Sequence, residues 1–339
     1  MKDFPVTKLS PGMKFTEAVY VDDNNVLVPA GVEVKAKDIE RLKRWEVSTV
    51  RTDGDPVSSD QAEATDKQRI VGSGRSGFMQ KVFSTAGQRY VMESYEELRE
   101  ALDLVFTRIR NEQQVESGQV DHIVDQVFSL LGSNRNDTIQ YILLGLQGEA
   151  SRTENALNCA FLCVLLGQRM SLPNHKLLQL GTAALLHDAG MLRLPDDIVS
   201  KKGALSDSEQ QMIRTHPVRS YRIASKEIGF SDDVGLGVLQ HQERWDGRGY
   251  PKGTSGSSIH VYARIIALAD SFEAMVSKRP YRDSMIGYTA IRTILRDNAR
   301  RFDPEILKVF IRTLGIYPIG SLVLLSDSSI GRVIETNPD

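Results

Sequence analysis

Five residues of this 339-residue chain are of the types that hold metal ions, and they stand where separate helices could bring them together. His187 and Asp188 are adjacent near the end of an apolar helical run, "HKLLQLGTAALLHDAGML". His216 closes "SDSEQQMIRTH", His241 opens "HQERWDGRGYP", and Asp270 interrupts "ARIIALADSFEAM". Alone, any of them reads as a surface or satisfied core group. Gathered from several helices of a bundle, they read as a metal site. An Asp that bridges two cations, with a His on each side, is the start of a dinuclear hydrolytic centre.

The opening of "HQERWDGRGYP" has Gln242 where a second metal ligand beside His241 would fit. Asp246, Gly247 and Gly249 predict a turn, and Tyr250 offers a ring and a hydroxyl to a base or a phosphate. Glu243 reads as a structural acid that supports ligands rather than as the general base.

The elements that must position these residues are mostly helical from about residue 135 onward. "TENALNCAFLCVLLGQRM" and "IHVYARIIALADSFEAMVS" predict long helices, and Ser206 with Glu209 predicts a capping box. "GSLVLLSDSSIGRVIE" alternates like a terminal hairpin. Upstream, Leu98, Leu102, Val105 and Ile109 share one helical face, and Val120, Ile123, Val124, Val127 and Leu131 share another. These helices either pack within the monomer or pair with a second copy, so residues 94–131 are a candidate homodimer surface.

The first fifty or so residues read as a small α+β module: "FTEAVYV" and "VLVPAG" as strands around a "DDNN" turn, "AKDIERLKRWE" as a helix with Ile39, Leu42 and Trp45, and "VSTVR" as a last strand. A polar stretch follows. "GSGRSG" at 72–77 formally matches a dinucleotide fingerprint but lacks a βαβ context, and reads as a loop. The expected organisation is a regulatory module over 1–52, a linker over 53–92, connecting helices over 93–134 and an all-helical domain with terminal strands over 135–339.

Lysine plus arginine (42) nearly balances aspartate plus glutamate (44), which gives no reason to expect a nucleic-acid polymer or an anionic membrane as partner. The most apolar stretch, "CAFLCVLLG", is about half a membrane span. Its Cys159 and Cys163 read as a reduced, buried pair, with a metal or redox pair as the other reading. The start, MKDFPVTKLS, lacks a signal-peptide layout, and the chain reads as cytoplasmic.

"HDAG" at 187–190, "THP" at 215–217, "HQERWDGRGYP" and "RIIALADSFEAMVSKRPYR" resemble, in order and spacing, the HD-GYP domain, a branch of the HD metal-dependent phosphohydrolases. The resemblance covers roughly residues 140–335 and implies a mainly α fold that hydrolyses cyclic di-GMP with divalent metal, iron or manganese. It implies that His187, Asp188 and Asp270 hold one ion and that Asp188, His216 and His241 hold its neighbour. It places Tyr250 at the guanine-phosphate pocket and Arg279 and Arg282 on the substrate phosphates, with Asp188 and Arg279 central to the reaction.

The chain departs from the family at the chemistry. Gln242 and Asn155 stand at positions of lost histidine ligands, and Ser151 stands where trinuclear members have a glutamate, so at most two ions are expected. Met191 replaces a lysine, a loss of about 2 kcal/mol in phosphate binding judged by charged hydrogen bonds. Three readings stay open: a phosphodiesterase with a reduced centre, a degenerate domain that binds cyclic di-GMP or other signalling proteins without hydrolysis, and a hydrolase for a different phosphoester.

Overall fold

The computed structural model describes residues 2–21, 26–28, 32–34, 36–44, 47–57, 85–143, 151–201, 203–277, 287–296, 300–319, 321–325 and 329–333. The chain forms two compact units, residues 1–82 and 83–339. Trp45 and the "GSGRSG" stretch lie outside the described residues.

The first unit is α+β, as its alternating pattern predicts. Strands β1 (Lys2–Pro5), β3 (Val19–Tyr20), β4 (Val26–Val28) and β5 (Thr49–Thr52) form an antiparallel sheet in the order β1-β5-β3-β4, and β2 (Lys14–Phe15) pairs with β6 (Pro56–Val57). Helix α1 (Ala36–Arg44) buries Ile39 and Leu42 with Phe15, Val19, Val34 and Val50. Phe4 meets Phe15 edge-on at 5.1 Å between ring centroids.

The second unit is a helical body. Helix α2 (Ala86–Arg110) starts at a Thr85–Gln88 capping box, and α3 (Ser117–Ser133) and α4 (Arg135–Leu143) follow. Helix α5 (Arg152–Arg169) is buried on every side from Ala156 to Leu166, the signature of a central helix. Helix α6 (Asn174–Leu186) packs along it. A 3₁₀ turn (Ala189–Arg193), α7 (Asp196–Val199), α8 (Asp207–Ile213), α9 (His216–Tyr221) and a π-helical turn (Arg222–Ile228) lead to α10 (Asp232–Gln240). Helix α11 (Val261–Val276) lies against α5 and α10, and α12 (Gly287–Arg296), α13 (Pro304–Leu314) and an antiparallel hairpin of β7 (Leu322–Leu324) and β8 (Ile330–Arg332) complete the order.

The apolar faces of α2 and α3 are spent inside this body. Leu98, Leu102, Val105, Ile109, Val120, Ile123, Val124, Val127 and Leu131 are all buried, and both helices touch α5. Burying each such side chain contributes about 1.5–3 kcal/mol. Cys159 and Cys163 are free and buried, with their sulfurs 3.9 Å apart.

One expectation needs correction. His216 does not end the helix that Ser206 caps: α8 stops at Ile213 and His216 begins α9. The reason is Pro217, which has no N–H to give a preceding turn and fits only at a helix start. His216 thereby gains a fixed entry geometry that a fraying helix end would lack.

Candidate metal centre

Helix ends converge on one point. His187 is the C-cap of α6, Asp188 follows it, His216 opens α9, His241 is the C-cap of α10, and Asp270 projects from within α11. The three histidines are almost fully buried. Each Nδ1 lies against the carbonyl three residues back: Ala184 at 2.6 Å, Ile213 at 2.7 Å and Val238 at 2.7 Å. A carbonyl only accepts, so each Nδ1 carries a proton and each Nε2 is turned into the cluster as the available ligand atom.

Those Nε2 atoms face the carboxylates of Asp188 and Asp270. Asp188 Oδ1 is 3.2 Å from His216 Nε2 and 3.6 Å from His241 Nε2, while His187 Nε2 is 3.9 Å from Asp188 Oδ2 and 3.7 Å from Asp270 Oδ1. The Nε2 atoms of His216 and His241 are 3.2 Å apart. Asp188 Oδ1 is buried with no hydrogen-bond partner. One ligand atom each from His187, Asp188 and His241 falls within a 4.8 Å cluster. Metal bonds of about 2.0–2.2 Å leave neighbouring ligand atoms roughly 3–4 Å apart, so a divalent cation fits this cluster.

The electrostatics ask for positive charge. Burial works against ionisation of Asp188, yet His187, His216 and His241 hold its carboxyl well below the usual range. Burial also opposes a charged His187, but Asp188 and other neighbours hold its pKa well above normal. His216 goes the other way, pushed by burial down to about 4. Against burial, His187 keeps Asp270 ionised below the usual carboxylate range. Two carboxylates and three imidazoles brought together in one cluster suit a divalent cation.

Close backbone approach makes this convergence possible. Gly190 lies under α9: a Cβ there would sit 2.3 Å from the His216 carbonyl oxygen and 2.7 Å from the Ser220 nitrogen. Its N–H donates to Ser220 Oγ at 2.8 Å. Only glycine lets the Asp188 turn press against the helix of His216.

The "HQERWDGRGYP" loop is held from within. Gly249 packs against the chain at Gln242–Arg244, where a Cβ would lie 2.5 Å from backbone atoms, and Tyr250 N–H donates to the Gln242 carbonyl at 3.2 Å. Glu243 is buried, and its Oε1 accepts the Lys252 N–H at 2.8 Å. Asp246 receives Arg244 on both oxygens at 3.0 and 2.8 Å and closes the turn by accepting the Arg248 N–H. The half-buried Tyr250 ring stands edge-on to His216 at 6.1 Å, and burial with the Asp188 charge raises its phenol pKa, leaving the hydroxyl a donor.

Sequence reasoning missed Arg214, whose guanidinium lies 5.4 Å over the Tyr250 ring. Its place two residues before His216, on the same loop, was the available signal. Asn155 stands in the first turn of α5 with its Oδ1 buried and without a hydrogen-bond partner. Met191 lies in the 3₁₀ turn, its N–H on the Asp188 carbonyl. Ser151 is the N-cap of α5, in a capping box with Glu154. Gln242 is half-buried. Arg279 and Arg282 lie outside the described residues.

Residues 139–306 match the HD domain. The chain is 32% identical over 231 residues to a cyclic di-GMP phosphodiesterase of Pseudomonas aeruginosa, covering 68% of this chain and 55% of that one. It is 35% identical over 188 residues to a cyclic di-GMP phosphodiesterase of Borreliella burgdorferi, covering 55% and 49%. Its fold is similar to that of an HDGYP protein from Bdellovibrio bacteriovorus, at 15% identity and TM-score 0.50, over 91% of this chain and 97% of that one. The chain spans about half the length of the curated relatives it matches.

The helical body therefore carries an HD domain, a divalent-metal fold. With "HDAG", "THP" and the Gly-Tyr-Pro loop in place around it, the chain belongs to the HD-GYP family. No helix among the described residues is long and apolar enough to cross a membrane.

Proposed function

We propose that this chain is a cytoplasmic, metal-dependent phosphodiesterase that hydrolyses cyclic di-GMP, using at most two ions of iron or manganese. The observation that carries this reading is the convergence of three buried histidine Nε2 atoms on Asp188, whose Oδ1 is buried and unpartnered. His187, Asp188 and Asp270 would hold one ion, and Asp188, His216 and His241 would hold the other. Divalent ions held there supply Lewis acidity toward a phosphoryl oxygen and acidify water.

The chain's own residues do the rest. Each backbone carbonyl behind a histidine fixes its tautomer and aims its Nε2. Tyr250 borders the substrate with its phenol protonated, and the Arg214 guanidinium lies over its ring. Arg279 and Arg282 hold the phosphates through planar, multi-donor heads. The loss of histidines at Asn155 and Gln242 weakens metal retention without dispersing the ligands that remain, and this favours an enzyme over a purely binding domain.

Anaerobic turnover of cyclic di-GMP with Fe(II) or Mn(II), beside an Asp188→Ala control, tests the reading. Cleavage that disappears in the control supports it. A metal-loaded wild-type protein that leaves the dinucleotide intact overturns it.

A further inference from the structure

A hydrogen-bonded chain crosses the helical body one turn away from the metal-site residues. The Tyr95 hydroxyl donates to Asn158 Oδ1 at 2.7 Å. The Asn158 amide donates to Glu273 Oε1 at 3.3 Å, and Ser277 Oγ donates to the same oxygen at 2.5 Å. Tyr95 and Glu273 are 1% exposed, and Asn158 and Ser277 are 5% exposed. Burial, and then the Glu154 charge, hold the Tyr95 phenol far above its ordinary pKa, so it remains a donor.

The neighbouring surfaces of α5 and α11 are apolar, with Cys159, Leu162, Ala269 and Phe272 all buried. Polar groups placed among them are costly unless satisfied, and once satisfied they specify one arrangement where apolar packing tolerates several. Asn158 stands three residues beyond Asn155 on α5, and Glu273 three beyond Asp270 on α11. Residues at that spacing share a helical face. The Asn158–Glu273 bond therefore sets the register of α5 against α11 one turn from Asp270. The Tyr95 ring is lodged against Tyr141 and Phe161, at 4.8 and 6.1 Å between centroids, which aims its hydroxyl.

We propose that Tyr95 is a positioning residue for the metal centre. Through Asn158 and Glu273 it holds α11 so that Asp270 faces His187. The inference rests on Asp270 being a metal ligand, as under the proposed function. Tyr95 lies on α2, outside residues 139–306, so a centre inside the HD domain depends on a helix outside it.

Tyr95→Phe keeps the ring and removes only the hydroxyl. In the whole chain, Mn(II) affinity is expected to fall by up to about tenfold, since Tyr95 acts through two further residues and loss of a ligand's direct outer partner costs about tenfold or more. The kcat for cyclic di-GMP falls with it, while KM stays within about twofold. In an Asp270→Asn background, Tyr95→Phe changes Mn(II) affinity no further. A Tyr95→Phe protein that melts earlier but binds Mn(II) as wild type does overturns the proposal. So does an undiminished second loss in the Asp270→Asn background. Wild-type protein that takes up Mn(II) without cleaving the dinucleotide overturns the proposed function alone, because the metal titration still decides the role of Tyr95. Wild-type protein that takes up no Mn(II) overturns both.

Discussion

The Nε2 atoms of His216 and His241 face each other at 3.2 Å, although the Nδ1 of each is engaged by a backbone carbonyl. Two lone pairs at that distance repel unless something positive stands between or beside them. The second carboxylate, Asp270, approaches the cluster from the side of His187.

Metal uptake should release a proton from His187 and none from His216. Without metal, His187 has a raised pKa and holds its proton at neutral pH, whereas His216, at about 4, is already neutral. A ligand must shed its proton to bind, so affinity rises with pH while His187 is charged and gains nothing from His216 above about pH 5. Calorimetry of Mn(II) binding in buffers of different ionisation enthalpy counts the protons. Zero release at pH 7 would contradict the assignment of His187.

Asn155→His should tighten metal binding, by on the order of tenfold or more on the scale of outer-partner losses. Imidazole is the better ligand for iron or zinc than a neutral amide oxygen. Competition against a chromophoric chelator measures it. Equal affinities in the two proteins would mean that position 155 does not reach the ion.

Gly190→Ala should destabilise the fold by about 1–3 kcal/mol, the usual cost of overpacking. The added methyl meets backbone of α9, which cannot rotate away as a side chain would. Urea unfolding of the metal-free protein reads the loss, and an unshifted midpoint would show that α9 moves freely.

Glu243→Gln should keep turnover within a few-fold, since an amide oxygen can still accept the Lys252 N–H. Glu243→Ala should lose about 1–3 kcal/mol of stability through the orphaned donor. A drop in kcat of about 10²–10⁴-fold with Gln would instead mark Glu243 as a general base.

The sequence made the ligand types and the helices visible because both have short-range signatures. Ser206 with Glu209, and the buried faces of α2 and α3, follow from local periodicity. His216 lies at a helix start and not at a helix end because Pro217 overrides the run that the Ser206 capping box begins. The contacts that set precision were invisible for a different reason. Gly190 against Ser220 spans 30 residues of chain, and Asn158 with Glu273 spans 115. No spacing rule connects such pairs, since only the packed helices bring them together. Arg214 over Tyr250 is of the same kind.

The capping box that opens α5 ties the start of that helix to the residue types position 151 can carry. Ser151 is both the residue that ties down the first turn of that helix, through the Glu154 N–H at 3.1 Å, and the position where trinuclear relatives are expected to carry a ligand. A glutamate there would trade a short hydroxyl cap for a longer acid, with a loss of about 0.5–2 kcal/mol if the cap went unreplaced. The Ser151 hydroxyl is spent on starting the helix, so a ligand gained at that position has to keep or replace the cap as well.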